Sequence, residues 1–291
     1  MDTIEILKRV RQIEIKTRGL SSNIFAGEYH SAFKGRGMAF SEVREYQFGD
    51  DIRDIDWNVT ARFNHPYVKV YEEERELTVM LVVDISKSLD FGSVKQSKRQ
   101  MVAEIAATLA FSAIQNNDKI GVIFFTDQIE GFIPPAKGRK HILHIIRELI
   151  DFKPKSSRTH VGLAVEYLTR VIKRRCTAFV ISDFIDSADY SSAFTIANRK
   201  HDVVAIQVYD QRMAELPDVG LIRIADAETG VQRYIDTSSA KVRKAHHMWW
   251  AERQQQMRDT FNKCNVSAVS IRTDQDYVRA LMALFAHKNR Q

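Results

Sequence analysis

The stretch Thr78-Val-Met-Leu-Val-Val-Asp84-Ile-Ser86-Lys-Ser88 changes character at its midpoint, and that change limits what the whole chain can fold into. Its first half is an unbroken run of β-branched and long aliphatic residues, closed by Asp84. Such a run predicts a strand buried on both faces, as in the middle of a parallel sheet, because only there must every side chain be apolar. The second half is polar, with one carboxylate and two hydroxyls at every second position. In a loop leaving a strand, that spacing lets three oxygen atoms converge on one point. An all-oxygen cluster suits a hard divalent cation, Mg²⁺ before Zn²⁺, since no thiolate or imidazole is offered. The same residues also make an ordinary turn with an N-cap for the next helix. The pattern alone leaves both readings open.

Two downstream positions weigh on that choice. Thr159 stands in Ser-Ser-Arg-Thr-His-Val-Gly, just ahead of a helical pattern, and Asp183 closes a second apolar strand, Thr177-Ala-Phe-Val-Ile-Ser-Asp183. Asp84, Ser86, Ser88, Thr159 and Asp183 together resemble the metal-ion-dependent adhesion site of von Willebrand factor type A domains. The resemblance implies an α/β fold with a doubly wound, mostly parallel sheet. It also implies Ser86 and Ser88 hydroxyls directly on Mg²⁺, Thr159 directly or through water, and Asp84 and Asp183 holding waters or hydroxyls around it. Mn²⁺ and Ca²⁺ are the alternate cations.

At 291 residues the chain fits one large domain, or a domain with a smaller appendage. A net charge of +6 is modest, and the Lys and Arg residues are interleaved with acids. That pattern suits an acidic partner surface more than a nucleic acid. Cys176 and Cys264 belong to no Cys-x-x-Cys pair and read as reduced structural residues of a cytoplasmic protein. No signal-peptide segment and no run near the ~20 apolar residues of a membrane span is present. The expectation is a chain that does not itself cross a membrane, with a membrane-bound partner still allowed.

Ile4, Leu7, Val10 and Ile13 predict an amphipathic helix over residues 2–19. Residues 27–76 differ in character, with frequent aromatics, acids alternating with arginines and poor helical periodicity. They read as a small β-rich appendage packed on the core, with Trp57 buried. The expected division is therefore 1–76 for helix and appendage and 77–291 for the α/β domain. Gly35-Arg-Gly37 lacks the Lys-Ser/Thr and following helix of a phosphate loop. The Asp/Arg run from Asp50 to Arg62 suits either mutual pairing or partner docking.

Several segments carry a closer resemblance. They are Glu28-Tyr-His-Ser-Ala-Phe-Lys-Gly-Arg-Gly, Val43-Arg-Glu-Tyr, Gly49-Asp-Asp-Ile-Arg, Ile55-Asp-Trp-Asn-Val-Thr-Ala-Arg, Asn116-Asn-Asp-Lys-Ile-Gly, Phe132-Ile-Pro-Pro, Glu215-Leu-Pro-Asp-Val-Gly and Glu228-Thr-Gly. Across nearly its whole length the chain resembles the bacterial domain-of-unknown-function family fifty-eight, whose members have a von Willebrand A-like core. The resemblance implies a MoxR-type AAA+ ATPase as partner and chaperone-like maturation of a client protein complex.

Beyond Asp84, helix and strand alternate as in a doubly wound fold. Helices are expected at 97–115, 139–150, 162–174, 191–200, 238–263 and 274–285, strands at 119–126, 177–183, 202–209 and 266–272. Residues 129–133 suit an antiparallel edge, and 221–235 a hairpin turning at Glu228-Thr-Gly230. His141 and His144 read as solvated, and Trp249-Trp250 as core packing. A dehalogenase-type phosphatase needs a second Asp where Ser86 stands, and no Gly-x-Ser-x-Gly elbow is present. The chain thus reads as a metal-dependent protein-binding module and not an enzyme. The alternatives are a metal-dependent phosphohydrolase or nuclease using the same site, and a nucleic-acid adaptor.

Overall fold

The structure, a computed structural model, describes residues 11–12, 38–73, 77–93, 96–227 and 230–288. Apart from helical Arg11 and Gln12, the helix expected over 2–19 lies outside these residues, as do Glu228 and Thr229 of the expected turn. Phe33–Leu77 and Thr78–Gln291 fall in separate compact units.

In the smaller unit, β1 (Met38–Glu45) pairs antiparallel with β2 (Tyr67–Glu73). Between them lie a 3₁₀ turn, Ile52–Asp54, and helix α1 (Trp57–Phe63). This corrects the expectation of strands and turns alone. The Asp56 side chain accepts the Asn58 and Val59 amides at 3.0 and 3.2 Å, which caps the first turn. Asn64, at φ 55°, ends the helix in the left-handed conformation. Trp57 was expected in the interior but is 67% exposed, on the first turn of that helix. Besides Asp56, two further acids of the run are taken up locally. Arg44 grips Asp50 with two hydrogen bonds of 2.8 Å, and Asp51 caps the 3₁₀ turn through the Arg53 amide.

The larger unit is built on a six-stranded sheet. Its strands are β3 (Thr78–Asp84), β4 (Lys119–Phe125), β5 (Ile129–Ala136), β6 (Thr177–Ser182), β7 (Asp202–Tyr209) and β10 (Ser267–Arg272), ordered β10-β7-β6-β3-β4-β5. Every neighbouring pair is parallel except β4–β5, so β5 is the antiparallel edge foreseen from the sequence. β3, β4, β6 and β7 are buried along nearly their whole length, which explains their continuous apolar runs. At Gly121 a Cβ would meet the Ile133 carbonyl oxygen at 2.8 Å, so β5 can approach β4 only over a glycine.

Helices cover both faces. Met80, Val82, Ala178, Val180, Val203 and Ala205 point to the side packed by α4 (Val161–Val171), α5 (Ser191–Lys200) and α7 (Ala240–Lys263). The other side faces α2 (Lys98–Gln115), α3 (Arg139–Asp151) and α8 (Tyr277–Lys288). There Phe179 meets Phe285 edge-on, and the Thr108 and Tyr277 hydroxyls lie 3.4 Å apart. A short helix, α6 (Gln211–Ala214), and a hairpin of β8 (Leu221–Ala225) with β9 (Gln232–Asp236) complete the chain. His141 is not solvated as expected: its Nε2 lies 2.8 Å from the Ile120 carbonyl oxygen. The tryptophan pair divides, with Trp250 buried and Trp249 half-exposed beneath the Arg253 guanidinium.

The chain leaves β3 for β4 on one side and later returns to place β6 on the other. The carboxyl ends of β3 and β6 therefore flank the point where the winding reverses, the place where sheets of this kind open a crevice.

Candidate metal centre

Asp84 ends β3 and Asp183 follows the last residue of β6, so strand pairing brings two carboxylates to that crevice. Both are buried. Asp84 Oδ1 accepts the Ser86 amide at 2.8 Å, which bends the chain into the loop, and its Oδ2 accepts the Ser182 hydroxyl at 2.6 Å. Ser88 Oγ lies 3.1 Å from Ser86 Oγ and donates to Asp183 Oδ2 at 2.8 Å. Asp183 Oδ1 accepts the Ile185 amide at 3.1 Å. Asp84, Ser86, Ser88 and Asp183 are thus joined in one hydrogen-bonded chain. Burial first, and then the neighbouring Asp183 charge, push the Asp84 carboxyl up to about 6, against the hydrogen bonds from Ser182 and Ser86.

Thr159 stands apart from that chain. It lies in the loop before α4, is 8% exposed, and its Oγ1 is buried with no hydrogen-bond partner. The loop is held on both sides of it. His160 donates its amide to the Thr126 carbonyl at 3.0 Å, and Glu130 Oε1 accepts the Lys155 and Ser156 amides at 3.0 and 3.1 Å. Asp186, just past Asp183, accepts the Val161 amide at the start of α4 at 2.9 Å.

The loop from β3 to α2 is tied down from a third direction. Buried Asp210, following β7, accepts the Ser93 amide at 2.9 Å, the Ser93 hydroxyl, and the Thr273 hydroxyl at 2.9 Å. A Cβ on Gly92 would fall 2.5 Å from the Ser97 Cα, so the loop closes tightly onto the helix start. There Ser97 and Gln100 form a capping box.

Four participants escape the sequence reading: Ser182, Glu130, Asp210 and Lys98. Lys98 Nζ lies 2.6 Å from Asp183 Oδ2, and its side chain is 1% exposed. A lysine on the first turn of a helix, right after the N-cap, sits where the peptide dipoles disfavour a cation. That misfit was the available signal.

The donor set is compatible with a hard cation. Ser86 Oγ, Ser88 Oγ and the orphaned Thr159 Oγ1 are the hydroxyls, and the two carboxylates stand one hydrogen bond behind the serines. A buried hydroxyl without a partner is costly, and a cation would satisfy it. Among the described residues no three His, Cys, Asp or Glu side chains gather as a metal-binding group. The set is accordingly hydroxyl-rich, unlike a zinc site of thiolates and imidazoles. His160, next to Thr159, accepts the Leu163 amide on Nδ1 at 3.2 Å as the cap of α4.

Comparison with known proteins agrees with this architecture. Residues 42–257 match the family described as "Protein of unknown function DUF58". The uncharacterized protein Rv1480 of Mycobacterium tuberculosis (strain ATCC 25618 / H37Rv) is 31% identical over 292 aligned positions, spanning 100% of this chain and 92% of that protein. An aerotolerance-related membrane protein from Bacteroides fragilis superposes with a TM-score of 0.51 at 18% identity, covering 74% of this chain and 100% of that one. The VWA domain of SpRpn10 gives a TM-score of 0.38 at 11% identity over 73% of this chain and 95% of that chain. The doubly wound, mostly parallel sheet with helices on both faces is thus a fold shared with the Bacteroides fragilis protein.

Proposed function

The chain belongs to the DUF58 family of proteins of unknown function, and we propose that it works there as a divalent-cation-dependent module for docking a carboxylate of a partner protein. One observation carries the reading. At the crevice between β3 and β6, the Ser86 and Ser88 hydroxyls lie 3.1 Å apart, buried Asp84 accepts the Ser86 amide and buried Asp183 accepts the Ser88 hydroxyl, while the buried Thr159 hydroxyl in the loop before α4 is left without a partner.

Ser86, Ser88 and Thr159 would hold the cation, with Asp84 and Asp183 supporting them. Mg²⁺ is the first candidate, and Mn²⁺ or Ca²⁺ the alternates, because all the donors are oxygen. When bound, the cation supplies a position that seeks an anionic oxygen. The residues of the chain itself orient the hydroxyls and exclude water from the carboxylates. A general base within reach of a bound water is what hydrolysis would require. Here the Asp84 oxygens accept from Ser86 and Ser182, and those of Asp183 accept from Ser88, Lys98 and Ile185. A docking role therefore fits better than an enzymatic one.

The partner we propose is a MoxR-type AAA+ ATPase, with the pair acting in chaperone-like maturation of a client complex in the cytoplasm. No described helix is long and apolar enough to cross a membrane. Titration calorimetry with Mn²⁺ tests the site. Binding to the wild-type chain and its loss in Asp84→Ala, with the circular dichroism spectrum kept, is the expected result. Equal affinity in the two proteins would remove the assignment.

A further inference from the structure

Lys98 has no ordinary reason to be where it is. Its ammonium is buried in the interior, where an isolated charge is costly, and it sits at the end of α2 that repels cations. Met101 and Val102, on the next turn, are buried apolar residues. A methionine at position 98 would bury similar volume without either penalty. What holds the ammonium is Asp183 Oδ2, at 2.6 Å, the same oxygen that accepts the Ser88 hydroxyl at 2.8 Å. The lysine is therefore wired directly into the chain of groups proposed to hold the cation.

We propose that Lys98 is the built-in counter-cation of this site and makes retention of a divalent cation depend on an incoming carboxylate. The inference rests on the metal-docking reading above and specifies how that site is regulated. The site holds two carboxylates, Asp84 and Asp183, and one ammonium, which pairs with Asp183, so without metal it carries one net negative charge. A divalent cation turns that into one net positive charge, buried and uncompensated. The carboxylate of a partner returns the site to neutrality. Without Lys98, Asp84 and Asp183 would neutralise the cation unaided, and metal would bind with no ligand present. With Lys98, cation and acidic ligand each raise the affinity of the other, by the reciprocity that governs coupled binding. The chain then engages its acidic partner and its metal together.

The test uses the full chain, Mn²⁺ as probe and acetate as the carboxylate, with Mn²⁺ affinity read by calorimetry or by the paramagnetic signal of the free ion. Chloride at matched ionic strength is the control. In the wild type, acetate should tighten Mn²⁺ binding by about tenfold, a coupling of ordinary size. Lys98→Met should bind Mn²⁺ about tenfold more tightly than wild type without acetate, and acetate should no longer matter. Lys98→Arg, which keeps the charge, should behave as wild type. Mn²⁺ binding that is the same in wild type and Lys98→Met and indifferent to acetate would overturn the proposal while leaving the metal site standing. Absence of Mn²⁺ binding in every variant would overturn both. Should Lys98→Met lose its circular dichroism spectrum, the wild-type acetate titration decides alone, and a flat response overturns the coupling.

Discussion

Thr159 separates structural from functional cost at a single atom. Its Oγ1 is buried without a partner, which disfavours the folded state, yet the same oxygen is offered as a cation donor. Thr159→Val replaces the hydroxyl by a methyl of similar size. The metal-free protein should become more stable by about 1 kcal/mol, the usual penalty of one unsatisfied polar group. Mn²⁺ affinity should fall in the same variant. Denaturant melts in EDTA and a Mn²⁺ titration read the two effects, and a loss of both stability and affinity would make Thr159 an ordinary packing residue. His201 gives a pH signature far from the site. Burial foremost, then Lys200 and Arg175, depress its imidazole to about 4 from the usual 6.5, and Cys176 Sγ lies 3.3 Å from its Nδ1. A depressed folded value means that stability is fully present above 6.5 and is lost as pH falls toward 4, because the unfolded chain takes the proton first. That loss should be on the order of 3 kcal/mol across the window. In His201→Gln the loss should be missing, so the stability gap between the two proteins narrows from pH 7.5 to 4.5. A constant gap would refute it.

Loops, more than strands, decide whether the site exists, and Glu130 is the clamp on one of them. Burial opposes its charge. Hydrogen bonds from Gln128, Thr126 and the Ser156 and Lys155 amides outweigh that and hold its carboxyl below the usual range. Glu130→Ala should cost about 1–3 kcal/mol and speed amide exchange at Lys155 and Ser156, with Mn²⁺ affinity dropping as the Thr159 loop loosens. Unchanged exchange at those two amides would show that the loop is held by other means. The sheet was legible in advance because β3 and β6 announce themselves: an all-apolar run closed by an acid has few other homes than a buried parallel strand. The clamps were not, since Glu130, Asp210 and Ser182 find their partners across the fold and carry no local pattern. Residue type argues against a buried Lys98, because lysine ordinarily reaches water. α1 shows no helical period because its seven residues are too few to establish one. The Asp56 cap and the Asn64 stop were its readable marks. Trp57 misled for a simpler reason, since an apolar side chain is allowed on the surface even when a polar one is not allowed inside.

On the proposed reading, association is the function of the whole molecule and the cation its condition. The balance of acids and bases, +6 over 291 residues, leaves an acidic partner surface as the natural complement without a massed nucleic-acid face. A bound cation and a partner carboxylate attract strongly once both shed part of their water. The smaller unit, with its Arg44–Asp50 pair and exposed Trp57, offers the competing contact surface from Asp50 to Arg62. The direct test is the affinity of the purified chain for a MoxR-type AAA+ ATPase, measured in Mg²⁺ and in EDTA, and repeated in Mg²⁺ with Asp84→Ala and Ser86→Ala. EDTA and both substitutions should weaken association by at least about tenfold, roughly 1.4 kcal/mol. Affinity that stays the same in all four measurements would contradict that reading and move the contact to the Asp50–Arg62 surface.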